Sequence, residues 1–235
     1  MISNSFDEER AAHKRVHEAL HRLGEITRDE LGGSRDYVLK LTSGFHPASG
    51  IRGGKPKDLW FGVFRKENEQ GFLGNPQIFM IVSGRGIEYG FSPLTHPDDF
   101  SNQEIKKRTR EIARSVLEQL PTPGSPEAKD LATQLLKSGN WHYRRNQRRT
   151  TNHLDSGIPT DWVRGVRSDE GVRNAGGGIT RYAVGDAVDK VDLVEEVRQM
   201  AELFRPLMEH IAVSREDQDR AVSGCQESSR LAGQH

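Results

Sequence analysis

His17-Glu18-Ala19-Leu20-His21 sets two imidazoles one helical turn apart with a glutamate beside the first. This is the H-E-x-x-H spacing with which a helix grips zinc and poises a general base. A zinc-dependent hydrolase built on His17 and His21 needs a third ligand, for which His46 or Glu25 could stand. The neighbours argue the other way. A zinc-binding helix of that kind is buried, whereas Arg15 and Arg22 flank this pair. The reading that the neighbours favour is the polar side of an amphipathic surface helix. Glu127 and Lys129 form an E-x-K, as in some nucleases, but on a predicted helix and without a paired acid in an upstream strand.

Phosphate chemistry has two candidate stretches. Gly50-Ile51-Arg52-Gly53-Gly54-Lys55-Pro56 looks like a nucleotide-binding loop, yet it lacks the G-x-x-x-x-G-K-[ST] spacing. Pro56 also stands where the metal-binding hydroxyl belongs, so the chain is not read as a nucleotide-driven motor. WHYRRNQRR, from Trp141 to Arg149, interleaves aromatics with arginines, including Arg144, Arg145 and Arg148. Arginine forks clamp phosphates and aromatics stack on bases, so the composition suits nucleic acid. A solvated loop paired to acidic neighbours accounts for it equally well. KKRTREIAR, with Lys106, Lys107 and Arg110, fits a solvated helix face.

The bulk numbers limit what these sites can be. With 34 basic and 34 acidic side chains the formal net charge is zero, so any attraction for nucleic acid is local. The single cysteine, Cys225, excludes an internal disulfide framework and a cysteine-only zinc site. No apolar run approaches a membrane span, and MISNSFDEER has no signal-peptide core. A soluble, cytoplasmic protein with no cofactor and no membrane partner is expected.

Ala12, Val16, Ala19, Leu20, Leu23 and Ile26 recur at helical spacing, predicting a helix over 6–31 that Gly32 and Gly33 stop. DYVLKLT, LWFGVF, IFMIVS and GIEYGFS read as four strands in a meander, the last two joined by SGRG with Gly84 and Gly86 at positive φ. Ser101 and Glu104 form a capping pattern before a middle helix that ends near Leu120. Ser125 and Pro126 suit the start of a short helix ending at Gly139. Between 140 and 186 only GGGITRY suggests a strand. The last helix runs from Leu193 to Ile211, with Pro206 expected to kink it. This predicts an α+β fold: a small, mostly antiparallel curved sheet of four to five strands packed with N-terminal, middle and C-terminal helices. A single domain over 1–212 and a disordered tail over 213–235 complete the expectation.

One placement is physically awkward. Phe45 follows the first strand and is succeeded by HPASG, which offers it little to pack against, and the basic loop beyond returns at Trp60. Both rings could be core residues at strand ends, the commoner fate of aromatics. LKLTSGF, a glycine-rich basic loop, DLWFGVF, a buried strand and GIEYGFS nevertheless come in a familiar order. That order resembles the N-terminal DNA-binding domain of McrB-type, modification-dependent (type IV) restriction subunits. The resemblance spans about residues 10–212, with its specific part over 37–92 and a closing helix over 189–212.

The resemblance implies a non-enzymatic module that turns a modified cytosine (5-methyl or 5-hydroxymethyl) out of double-stranded DNA, as the specificity part of an antiphage restriction system. It would make Phe45 the wedge that fills the gap in the stack, which explains its exposed setting. Trp60, Ile81 and Tyr89 would form the base pocket. Arg52, Lys55 and Lys57, in a loop longer and more basic than the family's, would hold phosphates with Arg144, Arg145 and Arg148. The family usually carries tyrosine where this chain has Phe45, and residues 138–174 have no clear counterpart. An NTPase motor and a nuclease subunit are the implied partners. A protein-interaction adaptor using the C-terminal helix remains the third reading beside the DNA module and the zinc hydrolase.

Overall fold

The computed structural model describes residues 2–42, 58–66, 76–94, 103–144, 159–173 and 177–211, with the side chains of the first helix from residue 11. The chain is an α+β fold built on one six-stranded, fully antiparallel sheet. Helix α1 (Ile2–Leu31) leads into β1 (Tyr37–Leu41), and β2 (Asp58–Arg65), β3 (Gln77–Ser83) and β4 (Gly86–Ser92) follow as the expected meander. Then come α2 (Gln103–Leu117), α3 (Pro126–Ser138), β5 (His142–Arg144), α4 (Pro159–Val166), α5 (Asp169–Arg173), β6 (Gly178–Ala183) and α6 (Leu193–His210). The spatial order is β1-β2-β3-β4-β6-β5, so the late GGGITRY strand inserts beside β4 and the short β5 forms the edge. The sheet thus has one strand more than the upper expectation, because HYR is too short to show a period.

Local chemistry sets the element ends. The Gly33 amide donates to Arg28 O at 2.9 Å and closes α1. Ser125 Oγ accepts from the Ala128 amide at 3.2 Å, with Pro126 in the first turn of α3. Asp192 Oδ1 accepts from the Val194 and Glu195 amides and starts α6. Each of the two N-caps, Ser125 and Asp192, stabilises its helix by about 1 kcal/mol. The β3–β4 hairpin has two linking residues, and its positive φ falls at Gly86 (127°), not at Gly84. The expected Ser101 cap lies outside the described residues, as does the tail. Pro206 sits inside one continuous helix.

The period of two divides the sheet's side chains between two faces. On one face Leu59, Phe61, Val63, Met80, Tyr89 and Phe91 join a single apolar cluster with residues of α1, α2, α3, α4 and α6. Phe91 stacks on Phe204 of α6 (centroids 5.1 Å), and Trp141 and Trp162 add edge-to-face contacts. The apolar side of α6 (Val197, Met200, Ala201, Phe204, Leu207, Met208) is buried here, so the side of this helix that faces outward is mainly polar. The other face carries Trp60, Ile81, Glu88 and Tyr182. Phe64 and Phe79 on that face are buried but stand outside the main cluster. Among the described residues no helix is long and apolar enough to cross a membrane.

Candidate functional site

Register brings four side chains into one row on the second face. Trp60 pairs with Ile81, Ile81 with Glu88, and Glu88 with Tyr182, crossing β2, β3, β4 and β6. Neighbouring strands lie about 4.8 Å apart. Trp60 and Glu88 therefore stand two strand spacings apart with Ile81 between them. The next row runs Lys40, Gly62, Phe79, Gly90, Thr180 and His142, so the bulk of Phe79 lies between two glycines. Lys40 Nζ lies 5.3 Å from the centroid of Phe64.

The polar end of the row is tightly connected. Arg144 Nη1 donates to Glu88 Oε1, and Tyr182 Oη donates to the same oxygen at 3.2 Å. Burial, and then the charge of Glu88, push the Tyr182 hydroxyl up to about 12, so it stays a neutral donor. The His142 ring lies 6.2 Å from that of Tyr182. Thr180 is buried in this region, next to Tyr182.

At the other end, Thr42 and Trp60 hold the root of the 43–57 segment. The Thr42 amide donates to Trp60 O at 2.9 Å, as a ladder pair should. The return bond is exchanged: the Trp60 amide donates to Thr42 Oγ1 at 2.7 Å. Thr42 O instead accepts from His17 Nε2 at 3.1 Å. The chain leaves the ladder here without stranding a backbone carbonyl, because a side chain from α1 satisfies it.

That geometry redistributes the residues singled out from sequence. Trp60 and Ile81 come together as expected. Tyr89 does not join them: it pairs with Met80 and Arg181 on the face beneath α6. Burial there and the Glu196 carboxylate push its hydroxyl up to about 12. Arg144 Nη1 is engaged by Glu88 and its side chain is only 12 % exposed, so the structure places it beside the row as the partner of Glu88. His17 anchors the loop root, while His21 Nδ1 lies 3.4 Å from Glu25 on the helix exterior. Among the described residues no three His, Cys, Asp or Glu side chains converge as a metal site. Phe45, Arg52, Lys55, Lys57, Arg145 and Arg148, with the alternative ligand His46, lie outside the described residues.

No family model, curated protein or solved structure matches the chain. The site therefore rests on its own geometry. Glu88 and Tyr182 are the members that sequence reasoning missed. A signal for Glu88 was present, since a two-residue turn between Ser83 and Gly86 forces Ile81 opposite Glu88 and turns Tyr89 to the other face. Tyr182 had no such signal, because β6 reaches β4 from far along the chain.

Proposed function

We propose that this chain is a non-enzymatic DNA-binding module that receives a modified cytosine, turned out of the duplex, on the sheet face away from the helices. The observation that carries this reading is the row Trp60–Ile81–Glu88–Tyr182. An aromatic plane, an apolar patch and a carboxylate in sequence fit a flat heteroaromatic ring with one apolar edge and one amino edge. Trp60 supplies the stacking surface and Ile81 the wall for a 5-substituent. The row begins at Trp60, whose amide bonds to Thr42, and the sequence between these two residues carries Phe45, Arg52, Lys55 and Lys57. The order of motifs shared with McrB-type N-terminal domains supports the same reading. The module acts in the cytoplasm as the specificity part of a restriction system, with strand cleavage supplied by an NTPase motor and a nuclease.

A single methyl group is worth about 0.8 kcal/mol on burial, roughly a fourfold preference. Base–aromatic stacking is worth about 1–3 kcal/mol. Fluorescence anisotropy at one salt concentration tests both terms, with duplexes of one sequence carrying cytosine, 5-methylcytosine or 5-hydroxymethylcytosine. A modified duplex is expected to bind several-fold more tightly, with Phe45→Ala and Trp60→Ala each removing that advantage. Equal affinity for all three contradicts modification reading, and absence of binding at low salt contradicts the DNA assignment altogether.

A further inference from the structure

We infer that Glu88 reads the base edge, accepting a hydrogen bond from the exocyclic amine at C4 of the flipped cytosine. This rests on the function proposed above. A pocket that recognised only a 5-methyl group would also accept thymine, which carries the same methyl and is abundant in all DNA. The two pyrimidines differ at C4, where cytosine presents an amino donor and thymine a carbonyl acceptor. A carboxylate only accepts. Placed against C4 it favours the amine and opposes the carbonyl, which is the discrimination the site requires.

Glu88 stands where that group is needed. It faces Ile81 directly across the β3–β4 pair, one strand beyond the apolar wall and two from the Trp60 plane. Arg144 Nη1 and Tyr182 Oη both donate to Oε1. Among the described residues neither donates to Oε2. The two donors fix the carboxylate's orientation and leave its second oxygen for an incoming amine. Glu88 keeps 8 % of its surface, so a base reaching it meets a group already largely stripped of water, where a hydrogen bond discriminates strongly. Arg144 and Tyr182 are positioning residues in this arrangement. Asp58 supplies a second carboxylate on the same face, one row beyond Trp60, but it is exposed and pairs with Ser83 instead of an apolar wall.

The test compares two duplexes with the probe base opposite guanine: 5-methylcytosine, and 5-methylpyrimidin-2-one, the same ring without the 4-amino group. The analogue unpairs more easily, so any preference for 5-methylcytosine originates in the pocket. Wild-type protein is expected to favour 5-methylcytosine by tenfold or more. Glu88→Gln, confirmed as folded by its circular dichroism melt, is expected to reduce the ratio to about twofold or less, and Asp58→Asn is expected to leave it unchanged. The wild-type comparison needs no variant, so it decides the matter even where Glu88→Gln folds poorly. A wild type that prefers 5-methylcytosine to cytosine yet ignores loss of the amine overturns the role of Glu88 while leaving the flipping module standing. Retained discrimination in Glu88→Gln, or its loss in Asp58→Asn, overturns it equally. A wild type indifferent to cytosine methylation removes the parent reading itself.

Discussion

Tyr89 and Tyr182 sit on opposite faces of the sheet, yet each is buried beside a carboxylate, Glu196 for one and Glu88 for the other. Burial is the larger cause in both, and both hydroxyls are pushed up to about 12 from an ordinary value of about 10. A raised folded value means that the neutral form is favoured by folding. The stability these groups contribute is complete below about pH 10 and is lost as pH rises through about 12. Absorbance titration of tyrosinate is expected to show Tyr89 and Tyr182 ionising late, with Tyr37, whose hydroxyl burial also pushes up, delayed as well, accompanied by loss of stability in that alkaline window. Ionisation of all four tyrosines near pH 10 in the still-folded protein contradicts these environments. In the HEALH motif, spacing puts two imidazoles on one helix, and the structure gives them different partners: for His17 a carbonyl 25 residues away, for His21 the Glu25 carboxylate.

Strands and helices with a strong local signal were legible. The meander, the capped helix after Ser125 and the amphipathic last helix follow from alternation, capping residues and a 3.6-residue period. β5 and α5 are too short for any period to register, and α4 was missed although Pro159 and Asp161 are good first-turn residues. Strand order was not legible either, since β6 joins β4 through contacts distant in sequence. Gly90 marks that junction. A Cβ there would lie 2.1 Å from Ile179 O and 2.8 Å from Thr180 Cα, both backbone atoms of β6. Gly90→Ala is therefore expected to destabilise the fold by about 1–3 kcal/mol in urea denaturation, since the sheet must shift to admit it. A change below about 0.5 kcal/mol would show that β4 and β6 separate without cost.

Across the whole molecule, the two faces of the sheet have different tasks. The helices build the core on one face, and the other face carries the row Trp60–Ile81–Glu88–Tyr182, on which the proposed function places the base. The pairing of Trp60 with Ile81 was anticipated, but the partition that puts Glu88 and Tyr182 with them and Tyr89 elsewhere depends on which face the helices cover. The tryptophans report on this division. Trp141 and Trp162 are buried in the core, whereas Trp60 is partly exposed on the opposite face of the sheet. Trp60→Phe supplies the emission of the two core rings as a background. The central claim is tested most directly by the Trp60 component of the fluorescence, measured at equal occupancy with 5-methylcytosine and cytosine duplexes. Stacking of a flipped base on Trp60 is expected to quench that component with the modified duplex and to leave it largely unchanged with the unmodified one. Binding that leaves Trp60 emission unaltered, or alters it equally with both duplexes, would contradict a modified base held on this face.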